Sequence, residues 1–270
     1  MAIFPLLIGA SIAAAPAAHA PVAPVQVQHP ALWVVNDGDT IIYLFGTFHA
    51  LDGKSDWFEQ AVKTAFTASD ELMLETLVPE PMRSPAARHQ LAPPLYGQSP
   101  IVKLAPSASS MLASSRTVMT AGRSEGMSTD RGADAILREA AEDSGKTVGG
   151  LESFQFQLNM FSTLQDAPQA KAPDPQAMKA LAQVLGQLQA AWNRGDIESF
   201  APLLQQMRTQ SPTTYQTMFV ERNARWANWI ADRLRTPGTV FVAVGAGHLS
   251  GPDSVQKQLA AIGVKSARIN

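Results

Sequence analysis

The sequence predicts a mixed α/β fold (mixed α+β), a mixed sheet with flanking helices. Three observations carry this expectation. Short apolar strand segments alternate with helical stretches along the chain. The first two strands are joined by Asn36-Asp37-Gly38-Asp39, a hairpin turn signal that argues against a wholly parallel sheet. Four apolar runs each lead into a histidine or glutamate, the pattern of strands whose carboxyl ends carry a site.

The elements follow in order. Leu32 to Val35 and Ile41 to Phe45 are the hairpin strands. Ser55 and Asp56 are placed to cap a helix running to about Thr67, with Glu59 completing a capping box. Leu72 to Glu75 reads as a short buried strand, and the prolines from Pro79 to Pro106 as loop broken by short helices. Asp130 is placed to cap a helix through about Asp143, ended by Gly145. Thr147 to Gly149 is a strand leading to Leu151-Glu152, and a helix from Ser153 runs out before the Pro168 to Pro175 loop. Gln176 to Trp192 is helical in pattern, with Gly195 as its stop, and Thr213 to Arg235 is a long amphipathic helix stopped by Thr236-Pro237-Gly238. Thr239 to Val244 is the most apolar strand, followed by a helix from Ser254 to Ile262 and a terminal strand near Lys265 to Ile269.

Of the 270 residues 46% are hydrophobic, enough for a substantial core. The net charge of -2 shows no basic surplus, which argues against nucleic acid as a partner. Residues 1–20 read as a secretory signal peptide: an apolar run from Ile3 to Ala15 precedes Ala18-His19-Ala20, a small-residue cleavage site. No Lys or Arg precedes that run. A membrane anchor is the competing reading, but the run falls short of the roughly 20 residues a spanning helix needs, and Pro5 and Pro16 interrupt it. The expected layout is therefore a signal peptide at 1–20, an extended Pro-rich lead-in at 21–30 and one domain at 31–270, in a periplasmic or secreted protein with no membrane span after cleavage. The chain has no cysteine, so catalytic thiols and thiolate metal sites are excluded, and any metal must use His, Asp or Glu.

The chemistry gathers at the strand ends. Tyr43-Leu44-Phe45 leads to Gly46 and His49, Leu72-Met73-Leu74 to Glu75, Val148-Gly149-Gly150-Leu151 to Glu152, and Phe241-Val242-Ala243-Val244 to Gly245 and His248. If these four strands run the same way, two His and two Glu meet along one sheet edge. Gly46, Gly245 and Gly247 are read as permissive positions where the chain turns sharply. One G-x-x-H arises by chance often, and a buried hydrogen-bonded histidine explains it equally well. Two copies, each directly after an apolar run, point to a site. Two imidazoles and a carboxylate suit a divalent ion, which would polarise a carbonyl or lower the pKa of bound water. His49, His248 and Glu75 are the candidate ligands, and Glu75 is also a candidate catalyst. Glu152 is a further ligand or a general base, or else the acid of the next helix's first turn.

Arg222 lies inside the apolar stripe of Met218, Phe219, Trp226, Trp229 and Ile230. Three readings stand: it snorkels to solvent, it holds Glu75 or Glu152, or it binds substrate and a developing oxyanion. Glu221 with Arg225, and Asp134 with Arg138, are spaced as plain surface ion pairs. P-loop, G-x-G-x-x-G, H-E-x-x-H and G-x-S-x-G motifs are absent.

Taken together, these residues resemble the family named for the TraB and GumN proteins, which includes the Tiki proteases. The resemblance rests on Gly46-Thr47-Phe48-His49, the strand ending in Glu75, Gly132-Ala133-Asp134, Gly149-Gly150-Leu151-Glu152 with Gln157, Glu221-Arg222-Asn223, and Gly245-Ala246-Gly247-His248-Leu249 followed by Gly251. It spans about Ala31 to Asn270, with no sharp match from Pro79 to Thr129. It implies an erythromycin-esterase/ChaN-like fold and a metalloprotease-like, metal-dependent hydrolase acting on a peptide or small-molecule substrate. The ion would be Mn, Co, Zn or Fe, bound or served by the two histidines and a glutamate. The alternative is a non-catalytic iron or haem binding protein.

Overall fold

The hairpin signal at Asn36 to Asp39 forms where the sequence puts it. Gly38 takes a positive φ of 111° that other residues resist, and β1 (Leu32–Asn36) folds back antiparallel on β2 (Thr40–Thr47). The computed structural model describes residues 29–78, 106–164 and 174–270; the expected signal peptide at 1–20, nearly all of the expected lead-in, and most of the two Pro-rich stretches lie outside them. Four further strands are β3 (Glu71–Thr76), β4 (Thr147–Glu152), β5 (Gly238–Gly245) and β6 (Ala267–Arg268). They form one six-stranded sheet in the order β4-β3-β5-β2-β1-β6. β4, β3, β5 and β2 are mutually parallel and β1 is antiparallel to both its neighbours, so the sheet is mixed.

Helices flank the sheet: α1 (Gln60–Ala68), α2 (Pro106–Ser124), α3 (Ala133–Asp143), α4 (Phe154–Thr163), α5 (Pro175–Asn193), α6 (Ala201–Gln210), α7 (Pro212–Tyr215), α8 (Glu221–Arg233) and α9 (Val255–Ala261). Ser153 caps α4 by accepting from Phe156 N, and Asp174 caps α5 by accepting from Ala177 N at 2.8 Å.

The departures from the sequence reading have tertiary causes. α1 starts at Gln60 and Glu59 makes no side-chain cap, so the expected box at Asp56 does not form. Trp57 is buried instead, its ring stacked on Phe45 at 5.7 Å and tilted on Trp192 at 5.6 Å. Burying an indole outweighs a cap worth about 1 kcal/mol. Asp130 sits in a one-turn 3-10 helix, and α3 begins after Gly132, where Ala133 N donates to Phe48 O at 3.0 Å. The long helix expected from Thr213 is broken by a π-helical turn at Gln216–Val220, so Phe219 and Trp226 are not on a continuous α-helical stripe. α2 and α6 are helices for which no sequence expectation stood.

Candidate functional site

The parallel register between β2 and β5 pairs Thr47 with Gly245, which sets the two Gly-x-x-His segments side by side. His49 lies in the loop beyond β2, and His248 in the 3-10 turn Ala246–Leu249 beyond β5. Glu75 is near the end of β3 and Glu152 ends β4, so all four strand-end residues reach the same edge of the sheet.

The motif glycines serve close approach rather than a sharp turn. Gly46, Gly245 and Gly247 do not have positive φ, which corrects the reading that backbone permissiveness selects them. A Cβ on Gly46 would lie 3.2 Å from Ala246 Cα, and one on Gly245 would lie 3.1 Å from both Glu75 Oε1 and His49 Nε2. Gly245 thus leaves open the space that the carboxylate and the first imidazole share. Its N–H also donates to Glu75 Oε1 at 2.7 Å.

Arg222 organises the acids. Its side chain is 3% exposed, so it does not snorkel. Nε donates to both oxygens of Glu152 at 3.0 Å, Nη2 reaches Glu75 Oε2 at 2.7 Å and Glu152 Oε2 at 2.9 Å, and Nη1 stands 3.3 Å from His248 Nε2. The guanidinium also lies 4.6 Å from the Trp226 ring. A buried guanidinium is tolerable here because two carboxylates neutralise it. Glu152 also accepts from Gln157 and from Arg225 Nη2, each at 3.4 Å.

The two imidazoles have different outer partners. His49 Nδ1 meets Asp134 Oδ1 at 2.8 Å while 62% of the side chain stays exposed. The charge of the Asp134 carboxylate, with this hydrogen bond, raises the His49 pKa to about 9. His248 Nδ1 meets Asn223 Oδ1 at 2.6 Å, and its ring is enclosed by Phe219 and Trp226 with centroids at 4.8 and 4.6 Å. Burial pushes its pKa down to about 3, with Arg222 and His49 adding to the effect and Glu75 opposing it. Burial pushes the Glu75 carboxyl up, yet His248, Arg222, His49 and the Gly245 N–H together hold it at about 2. His248 Nε2 is 3.7 Å from Glu75 Oε1.

Two expected surface pairs are replaced by contacts to this cluster. Asp134 turns to His49, and Arg138 pairs with Glu142 at 2.7 Å. Arg225 turns to Glu152, with its guanidinium 4.8 Å from the Phe156 ring, rather than to Glu221. Spacing along one helix favours local i,i+4 partners and is blind to acids and imidazoles on other elements. Asn223 was visible only as a member of the resembling motifs, and Asp134 only there and as the surface partner of Arg138.

The donor types at this edge suit a divalent ion: each histidine has Nδ1 tied to an outer oxygen and Nε2 directed inward, as ligating histidines commonly do. The spacing is another matter. Among the described residues no three His, Asp or Glu side chains are grouped so as to hold an ion as they stand, and Arg222 occupies the approach to His248 Nε2.

No curated protein and no solved structure matches this chain. A family model described as the TraB/PrgY/gumN family matches residues 31–98 and 84–268, which between them include every strand of the described residues and each of the strand-end residues. The chain belongs to the TraB/PrgY/gumN family.

Proposed function

We propose that this protein is an exported hydrolase, of peptidase type, whose reacting centre is His49, Glu75 and His248. The observation that carries the reading is geometric: His248 Nε2 lies 3.7 Å from Glu75 Oε1, and His49 Nε2 and that same oxygen border the space left by Gly245, so two imidazoles of opposite proton affinity share one carboxylate. Environments that drive neighbouring pKa values apart are the arrangement that acid–base chemistry uses. Glu75 accepts the proton of an attacking water as its oxygen bonds to a carbonyl carbon. His49, protonated against Asp134, donates to the leaving group as the acyl bond breaks. Arg222 orients both carboxylates. Proton return from Glu75 to His49 restores the starting state.

The donor types also support a metal-assisted form, in which His49, His248 and Glu75 would hold Mn, Co, Zn or Fe, whose chemistry there would be to acidify water or polarise a carbonyl. Arg222 would then have to give up its approach to His248.

The test is cleavage of peptide and ester substrates by the purified protein, with metal content measured alongside. Turnover that survives a chelator supports the metal-free form, and turnover lost with the ion supports the metal-assisted one. Absence of turnover together with a visible absorption band on loading iron or haem would replace the hydrolase by a binding protein. Export is checked by intact mass: the mature chain should begin at Pro21, and a retained Met1 would overturn it.

A further inference from the structure

We infer that Asn223 is a positioning residue of this site: its amide fixes His248 in the Nδ1–H tautomer and turns the Nε2 lone pair toward Arg222 and Glu75. The inference rests on two independent constraints. The first is the orientation of the amide. Asn223 is 1% exposed, and its Nδ2 donates to the Asp253 carbonyl at 2.7 Å and more weakly to the His248 carbonyl at 3.5 Å. Those acceptors take the nitrogen, so Oδ1 is the atom facing His248 Nδ1 at 2.6 Å. An amide oxygen only accepts, and the proton must therefore be on Nδ1. The second constraint comes from the other side of the ring. A guanidinium only donates, and Arg222 Nη1 stands 3.3 Å from Nε2, so Nε2 carries the lone pair.

The choice of an amide has a consequence that a carboxylate would not have. Asp134 gives His49 a charged partner that favours the imidazolium. Asn223 orients His248 without adding charge, so the ring is held neutral with its basic nitrogen aimed inward. Asn223 sits next to Arg222 in the first turn of α8, so one helical turn supplies both constraints. In the metal-free form this tautomer lets Nε2 accept from Arg222, which orients the carboxylates, and in the metal-assisted form Nε2 would be a ligand atom; that catalytic role rests on the hydrolase reading. The tautomer itself does not, and its measurement needs no turnover.

The experiment is long-range nitrogen–proton correlation of the histidine rings in the full chain at neutral pH, with the His248 signals assigned by their loss in His248→Gln. The expected result is a protonated Nδ1 and an unprotonated Nε2. Asn223→Asp keeps an acceptor at Nδ1 and should keep its proton, whereas Asn223→Ala should move the ring to a tautomer mixture. A wild-type ring protonated on Nε2 overturns the inference even if no variant folds. So does an Asn223→Ala protein whose ring shifts are unchanged. With p-nitrophenyl acetate as probe, kcat for Asn223→Ala should fall about 10-fold or more with KM little changed. If the wild type does not turn the ester over, the hydrolase reading fails on this probe while the nitrogen shifts still decide the tautomer.

Discussion

Asp134 Oδ1 accepts from His49 Nδ1 at 2.8 Å, joining the first turn of α3 to the loop after β2. The contact depends on Gly132, since a Cβ there would lie 2.2 Å from the His49 carbonyl oxygen. Loop and helix are therefore one unit, and the first histidine takes its electrostatic character from a residue far away in sequence.

Asp134→Asn should lower the His49 pKa from about 9 toward its reference of 6.5. A raised folded pKa contributes stability that is full below 6.5 and is lost as pH rises through about 9. The wild type should lose this contribution over that window and the variant should not. Proton NMR titration of the His49 ring reads the pKa directly, and an unchanged value in Asp134→Asn would remove Asp134 from the site.

If His49 is a ligand in a metal-assisted form, an ion must displace its proton below about pH 9. Apparent affinity should then rise about tenfold per pH unit between 7 and 9, one proton leaving per ion bound. His49→Ala and His248→Ala should each lose the ion while remaining folded. Bound metal and melting temperature are to be measured together. Variants that melt lower yet keep the ion would make both residues structural.

Arg222→Met leaves Glu75 and Glu152 buried without their main partner. Breaking such a group from one side costs about 3–5 kcal/mol, which urea denaturation can resolve. Adding Glu152→Gln to Arg222→Met should recover part of the loss by removing one stranded charge. A double variant no more stable than the single one would show that the charge on Glu152 is not what Arg222 offsets.

His248 makes an opposite prediction for acid. Its folded pKa is depressed to about 3 against 6.5 unfolded, so the unfolded chain binds the extra proton first. The associated stability is present above pH 6.5 and is lost as pH falls toward 3. Replacing the ring with Gln should flatten the stability profile between those values. An equally steep profile in His248→Gln would assign the acid sensitivity to other groups, with Glu75 and its pKa of about 2 the next to examine.

Much of this architecture was legible locally. A Gly-Asp turn between alternating strands and four apolar runs that each lead into His or Glu are short-range patterns, and strands express them with little help from the rest of the chain. The capping signals show where such reading stops. The helix expected from Ser153 forms, with Ser153 as its cap, whereas Asp56 lost its helix start to the burial of Trp57 against Phe45 and Trp192. Arg225 likewise had an acid at the right helical spacing and turned to Glu152 on a neighbouring strand instead.

By itself the sequence determined the strand ends, their glycines and the candidate residues His49, Glu75, Glu152, Arg222 and His248, because chemistry and periodicity are written residue by residue. Only the tertiary structure decided what each of them meets. The parallel run of β4, β3, β5 and β2 brought the four strand ends together. The packing of α3 and α8 against that edge then gave one histidine a carboxylate and the other an amide. The proton affinity of an imidazole is set by the charges and solvent within a few ångströms of it, and those neighbours come from distant parts of the chain.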